Sequence, residues 1–212
     1  MKLLCMFLLM LIQSDSFTRF TYCVQRPGQF ESQCIELDPT GKGQGRFKRR
    51  AGDEIKMDIA LSPTARERYL TLLAATNYLD QADTYESQRR VANLGRKHLK
   101  LELPSGAPRE GVFNFSTRKD VMDLVTLFDA VINQEMWALE IETALRFDRL
   151  GIPKKIERIE SDLKNNRIAD PERLVPILDK ILADQRIMNY ARDHAGKMKE
   201  QILTKKLGKS NR

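Results

Sequence analysis

Several classes of protein can be set aside because of what the chain lacks. It has three cysteines in 212 residues, and none follows Cys34, so no disulfide framework holds the body of the chain together. The only two histidines, His98 and His194, belong to no His-Glu-x-x-His or Cys-x-x-Cys pattern, and we therefore predict no metal site. Neither a phosphate-binding loop nor a Gly-x-Ser-x-Gly motif is present. These absences predict a protein that is not an enzyme and uses no cofactor.

Long apolar runs and aromatic residues are also scarce. No stretch approaches the ~20 apolar residues that span a bilayer, and the run Leu3–Ile12 reaches about half that length, so we predict no transmembrane span. Aromatic residues make up 7% of the chain, which favours helices packed through Leu, Ile, Val and Ala over a β-sandwich.

The amino terminus has the layout of a secretory signal. Met1-Lys2 is a short basic start, Leu3–Ile12 is apolar, and Ser14-Asp15-Ser16 offers the small residues that a signal peptidase needs. We predict a signal peptide over residues 1–16 and a secreted or secretory-pathway protein. The alternative is an amino-terminal strand or the start of a buried helix.

Residues 17–50 show no sustained helical period and contain turn signals such as Pro27-Gly28. We predict an irregular region or pro-segment here. Cys23 and Cys34 remain as a pair once the signal is removed. In an exported chain they are expected to form one disulfide.

A basic cluster closes this segment. Arg46, Lys48 and Arg49 fit the Arg-x-Lys-Arg pattern that proprotein convertases cut, and Arg50 adds a further cation. The glycine-rich stretch before the cluster suggests an extended, accessible approach. We predict cleavage after Arg49 or Arg50. The alternatives are a nuclear-localisation-like run, an RNA contact or a solvated loop.

Residues 51–212 carry helical periods separated by start and stop signals. Ser62-Pro63 is a start signal, and the helix that it opens is expected to continue, with a break, toward His98. Ser116 or Thr117 is expected to cap a second long helix. The later signals are the short amphipathic pattern Ile152, Ile156, Ile159, Leu163, and Asp170-Pro171, which opens a last helix kinked or delayed at Pro176. The pattern predicts an all-α domain, a bundle of four to five helices preceded by the irregular amino-terminal segment.

Asn114-Phe115-Ser116 is a glycosylation sequon in a loop before the second helix. It has meaning only in an exported chain, where Asn114 would be the attachment site. The alternative is that Ser116 acts simply as a helix cap.

The net charge of +7 is unevenly placed. Residues 1–50 contribute eight basic and four acidic residues, which leaves 28 basic and 25 acidic residues in the nearly balanced body. A dedicated nucleic-acid module concentrates basic charge in its folded domain, so this balance does not favour one. We therefore expect a secreted helical protein that acts by binding a protein partner or receptor. The alternative is an intracellular helical adaptor or nucleic-acid-associated protein, cytoplasmic or nuclear, that uses basic pairs such as Arg89-Arg90 and Arg96-Lys97.

Overall fold

The computed structural model describes residues 17–209, with side chains through residue 204, and within that range the chain combines six strands with five α-helices. The strands are β1 (Arg19–Gln25), β2 (Phe30–Leu37), β3 (Lys42–Arg49), β4 (Glu54–Ala60), β5 (Arg96–Glu102) and β6 (Arg109–Phe113). The helices are α1 (Pro63–Ala75), α2 (Lys119–Phe147), α3 (Ile152–Lys164), α4 (Val175–Ala183) and α5 (Asn189–Lys209). The strands form one antiparallel sheet in the order β4-β3-β2-β1-β5-β6.

The predicted all-α class is therefore wrong, and so is the irregular segment placed before the bundle. Residues 17–50, expected to be irregular, supply the three strands β1, β2 and β3. The helix expected to continue toward His98 ends at Ala75, and His98 lies in β5. The physical reason is that β1 pairs with β5, which places Arg19 opposite Glu102. These partners are far apart in the sequence, so the periodicity within a single segment does not reveal the pairing.

One face of the sheet is buried and the other faces solvent. Buried and exposed side chains alternate along the strands, as expected for an antiparallel sheet with one buried face. The buried face carries Phe20, Tyr22, Val24, Ile35, Leu37, Phe47, Ile59, Leu99, Leu101 and Phe113. The open face carries charged side chains in pairs, including Arg19–Glu36 at 2.9 Å and Lys100–Glu102 at 2.8 Å.

Strand β3 reads as a flexible stretch in the sequence because Gly43 and Gly45 lie within it. A Cβ at Gly43 would come within 1.8 Å of the Glu36 carbonyl oxygen on β2, so this glycine permits close pairing of the two strands. Phe47 in the same strand is fully buried. The glycines therefore mark tight strand packing here.

The first hydrophobic core lies between the sheet, α1 and the amino-terminal half of α2. Phe128 of α2 is its aromatic centre, with ring centroids 4.8 Å from Phe20, 5.8 Å from Tyr22 and 5.6 Å from Tyr69. Helix α1 begins as predicted, because the Ser62 side chain accepts a hydrogen bond from the Ala65 amide.

The second core is purely helical. It forms where the carboxyl-terminal half of α2, with Trp137 and Ile141, packs against α3, α4 and α5. Helix α3 confirms the short amphipathic pattern predicted from Ile152. The expected single last helix is divided instead, since α4 ends at Ala183 and α5 begins at Asn189. The second long helix begins at Lys119, slightly after the predicted caps.

No helix in the described range is both long and apolar enough to cross a membrane. The predicted signal peptide, residues 1–16, lies outside the described residues.

Candidate functional site: an arginine-lined cleft at one end of the sheet

A cleft of about 330 Å³ opens where the β1–β2 turn, the end of β3 and the start of β5 meet. Its lining is Gln25, Arg26, Pro27, Glu31, Arg50, Asn93 and Arg96. Three guanidinium groups thus face one small volume. The one carboxylate of the lining, Glu31, is already paired with Lys48 at 2.9 Å. We call this site the arginine cleft.

Arg26 is held in place from beneath. Its guanidinium pairs with Asp129 of α2, which also accepts a 2.6 Å hydrogen bond from the Tyr22 hydroxyl. Burial, and then the negative charge of Asp129, raises the pKa of Tyr22 well above its usual value, so the hydroxyl remains a donor. Gly95 has φ +95°, and a Cβ there would lie 2.4 Å from Cγ of Arg26. The Arg26 side chain therefore occupies space that only glycine leaves free.

A buried lysine lies next to the cleft. Lys97 is 3% exposed, and its ammonium donates to the carbonyl oxygens of Leu94 at 3.4 Å, Gly95 at 2.9 Å and Asn114 at 2.7 Å. Burial lowers the pKa of Lys97. Its ammonium has three N–H donors, and each has a carbonyl partner, so the lysine fixes the loop before β5.

The other two arginines retain free donors. Arg50 donates through Nε to the Gly28 carbonyl at 2.8 Å and through Nη2 to the Arg26 carbonyl at 3.3 Å, which leaves its outer N–H groups toward the cleft. Arg96 is exposed, and its side chain has no hydrogen bond or ion pair with any other described residue. Planar guanidinium groups with free N–H donors bind carboxylates or phosphates through paired hydrogen bonds. The chemistry that this cleft offers is the binding of an anionic group.

Two other cavities border α5. The larger, about 470 Å³, is lined by Leu182, Arg192, Asp193, Gly196 and Lys197. The smaller is about 320 Å³ and includes His194, whose Nε2 lies 3.0 Å from Glu160. Charges of both signs line these cavities, so neither cavity favours one class of ligand. The arginine cleft is therefore the better candidate, although it is not the largest cavity.

The predicted cleavage residues do not form an accessible loop. Arg46, Lys48 and Arg49 lie in β3, which is hydrogen-bonded to β2 and to β4. The Arg46 side chain pairs with Glu36 at 3.2 Å on the open face of the sheet. Arg50 lies in the exposed turn after β3 and is part of the arginine cleft. Cleavage here stays a prediction, but the backbone of β3 is hydrogen-bonded to strands on both sides, so in the folded sheet it is not free to bind in a protease.

Cys23 and Cys34 lie directly opposite each other on β1 and β2, with Cα atoms 4.1 Å apart and sulfurs joined at 2.12 Å. This register is the one that the predicted disulfide requires. His98 follows in the same row of the sheet, opposite Cys23, and its Nε2 lies 3.3 Å from Glu110. No group of three or more His, Cys, Asp or Glu side chains placed to hold a metal occurs among residues 17–209.

The predicted glycosylation residue has a structural role. The Asn114 amide donates to the Ala92 carbonyl at 2.9 Å, and its Oδ1 accepts from the Leu94 amide at 2.8 Å. Asn114 therefore holds the loop that forms one wall of the arginine cleft. A glycan on Nδ2 would have to keep the bond to Ala92 while replacing one amide hydrogen, and its attachment stays a prediction.

Sequence reasoning missed the site as an assembly. It singled out Arg50 as part of a cleavage motif and Arg96 as part of a basic pair, and it did not single out Arg26 at all. The usable signal was the alternation Phe20, Tyr22, Val24 ending in Arg26-Pro27-Gly28, which marks a strand running into a turn with an arginine at its end.

The chain matches no protein-family model, and no curated protein sequence matches it.

Proposed function

We propose that the chain is an exported protein that acts by binding a protein partner, and that the arginine cleft receives acidic side chains of that partner. The observation that carries the proposal is the convergence of Arg26, Arg50 and Arg96 on one cleft. Two of these arginines have N–H donors left over from their internal contacts. A carboxylate pair at the surface of a partner matches both the size and the charge of this site.

A protein ligand fits these observations better than a nucleic acid. Phosphate tracking needs a row of unpaired cations along the backbone of the ligand. Outside the cleft, the open face of the sheet ties its cations into pairs such as Arg46–Glu36 and Lys100–Glu102. One concentrated cleft beside a charge-balanced face suits a short acidic segment.

The strands formed by residues 17–50 also change what cleavage after Arg50 would produce. Residues 17–50 form three strands, so a cut after Arg50 would open the exposed β3–β4 turn without freeing a helical body. The pairing of β1 with β5 and of β3 with β4 would hold the two pieces together. We expect any processed form to elute as one molecule under native conditions and as two chains in denaturant.

Binding is tested with a fluorescent hexaglutamate peptide and its hexaglutamine counterpart. The intact chain should bind the acidic peptide, more weakly at high salt, and should ignore the neutral one. Arg96→Gln should weaken binding about tenfold, the cost of losing one or two hydrogen bonds to a charged group. Arg158→Gln is the matched control, because Arg158 is an exposed arginine on α3 away from the cleft.

The outcomes separate the candidate functions. Equal binding of both peptides, or no change in Arg96→Gln, contradicts the cleft assignment. Tighter binding of a single-stranded oligonucleotide, with a steep salt dependence that Arg96→Gln reduces, supports the nucleic-acid alternative. Export is tested separately, by amino-terminal sequencing of protein recovered from the medium. A chain that stays inside the cell with Met1 in place contradicts it.

A further inference from the structure

The end of the helical core presents an apolar surface that no described residue covers. Phe147 is 84% exposed and Leu150 is 83% exposed, although both are large apolar side chains. They lie at the carboxyl end of α2 and in the turn that follows it. Met188, 53% exposed, lies before α5 in the neighbouring loop. The 3.0 Å bond from Arg149 Nε to Asp184 Oδ2 holds this loop against the end of α2.

Basic side chains surround these apolar groups. Arg146 and Lys154 are exposed, and their side chains make no ion pair with another described residue. The nearby acids already have partners: Asp148, although exposed, accepts a bond from the Gly151 amide at 3.0 Å, and Asp184 is paired with Arg186 at 2.8 Å and with Arg149. We call this surface the helical tip and define it as Arg146, Phe147, Leu150, Lys154, Arg186 and Met188.

We propose that the helical tip docks on an anionic lipid bilayer, with Phe147 and Leu150 inserted into the interface and the basic residues against the headgroups. Apolar side chains next to unpaired cations are the two features that hold a peripheral protein at such a surface. The charge argues against a second copy of the chain as the occupant, since two tips brought together would place like charges face to face.

The docked orientation is compatible with binding at the arginine cleft but does not depend on it. Asp129, which holds Arg26, lies eighteen residues before Phe147 on α2, about 27 Å along the axis at ~1.5 Å per residue. A tip seated in the interface would leave the cleft well clear of the lipid.

The test is co-sedimentation of the folded chain with vesicles of phosphatidylcholine, with and without about 30 mol% phosphatidylglycerol. We expect binding to the anionic vesicles and much weaker binding to the neutral ones. Phe147→Ala with Leu150→Ala should weaken partitioning at least tenfold, because each side chain loses its transfer from water. Arg146→Gln with Lys154→Gln should remove the preference for phosphatidylglycerol.

The matched control is Val112→Ala with Leu203→Ala, which removes two exposed apolar side chains elsewhere and should bind as the original does. In a separate Phe147→Trp variant, tryptophan emission should shift to shorter wavelength when anionic vesicles are added. Absence of vesicle binding, or binding unchanged in Phe147→Ala with Leu150→Ala, overturns the proposal. A lipid-free dimer, seen by light scattering and abolished by those same substitutions, also overturns it and assigns the tip to a second copy.

Discussion

The two hydrophobic cores share the helix α2 but are built on different periods. The first joins the buried face of an antiparallel sheet, whose side chains alternate, to the amino-terminal half of α2. The second joins four helical segments whose apolar residues recur at three or four positions. Because α2 serves both, it is apolar on most sides near Phe128 and more one-sided after Trp137. One helix therefore meets two packing demands along its 29 residues.

A buried polar layer separates the cores along α2. Asn133 and Trp137 donate to Asp162 of α3 at 2.7 Å each, and Arg167 completes the set at 2.7 Å. Beside it, the Gln134 side chain accepts from the Asp170 amide at 2.7 Å. Polar groups buried in this way must keep their partners, so the layer fixes how the second core sits on α2.

The prediction with the largest expected loss of stability compares one buried residue from each core. Phe128→Ala should destabilise the fold by about 3–5 kcal/mol, and Ile156→Ala by about 2–5 kcal/mol. If the cores open as separate units, the first variant should lose amide protection mainly in β1 and β5. The second should lose it mainly in α4 and α5. Hydrogen exchange measures both, and equal loss throughout the chain in either variant would show a single cooperative unit.

The next test acts on the layer between the cores. Asp162→Asn replaces a buried carboxylate that accepts from three side chains, and we expect a loss of about 3 kcal/mol. Chemical denaturation followed by the fluorescence of Trp137 measures it, because this buried indole is the single tryptophan of the chain and becomes exposed to water on unfolding. Asp179→Asn is the control, since Asp179 pairs with Lys199 at the surface. A loss no larger than that of the control would contradict a structural role for the layer.

The same residue gives the stability of the layer a pH dependence. Burial alone would raise the pKa of Asp162, but hydrogen bonds from Asn133, Trp137 and Arg167 outweigh it and lower the pKa below its ordinary value. Since the folded pKa is the lower one, the contribution is fully present above the unfolded value, about 3.9. It is lost as pH falls from there toward the folded pKa. Between pH 5 and pH 3, the original chain should therefore lose more stability than Asp162→Asn.

A smaller loss of stability is expected from a substitution at Gly95, beside the arginine cleft. Gly95→Ala places a Cβ 2.4 Å from Cγ of Arg26 and 3.0 Å from the Gln25 carbonyl, at φ +95°. We expect a loss of about 2 kcal/mol and several-fold weaker binding of hexaglutamate, because Arg26 must move. Gly106→Ala is a close control for the backbone strain, having φ +94° and nothing within 4 Å of the added atom. If both variants bind the peptide equally, Arg26 does not need its present position.

The helical core could be predicted from the sequence because its signal is local. Ile152, Ile156 and Ile159 lie on one face within a single segment, and α3 forms over Ile152–Lys164 as that pattern requires. The sheet could not be predicted in the same way. Its strands are short, and β3 hides its alternation behind two glycines and four cations. Strand β5 places Lys97, a charged residue, on the buried face.

The arginine cleft was out of reach for a related reason. Arg26, Arg50 and Arg96 come from three separate segments, and they meet only because β1 pairs with β2 and β5 while β2 pairs with β3. No spacing in the sequence connects them. The basic cluster at Arg46–Arg50 was interpreted as a protease cleavage site because its residues are adjacent in the sequence. In the fold, only Arg50 of this cluster belongs to the cleft.

The smallest expected effect tests a feature that the sequence did predict, the cap at Ser62. Its hydroxyl accepts from the Ala65 amide at 3.3 Å, while its own amide donates to Asp170 Oδ2 at 2.6 Å across to the helical side. Ser62→Ala removes only the first bond and should cost about 1 kcal/mol, measured by thermal unfolding. Ser62→Thr should restore most of it. Because the bond to Asp170 survives in both variants, amide protection in α4 and α5 should stay unchanged. A loss of protection there would mean that the cap itself couples the sheet to the helical core.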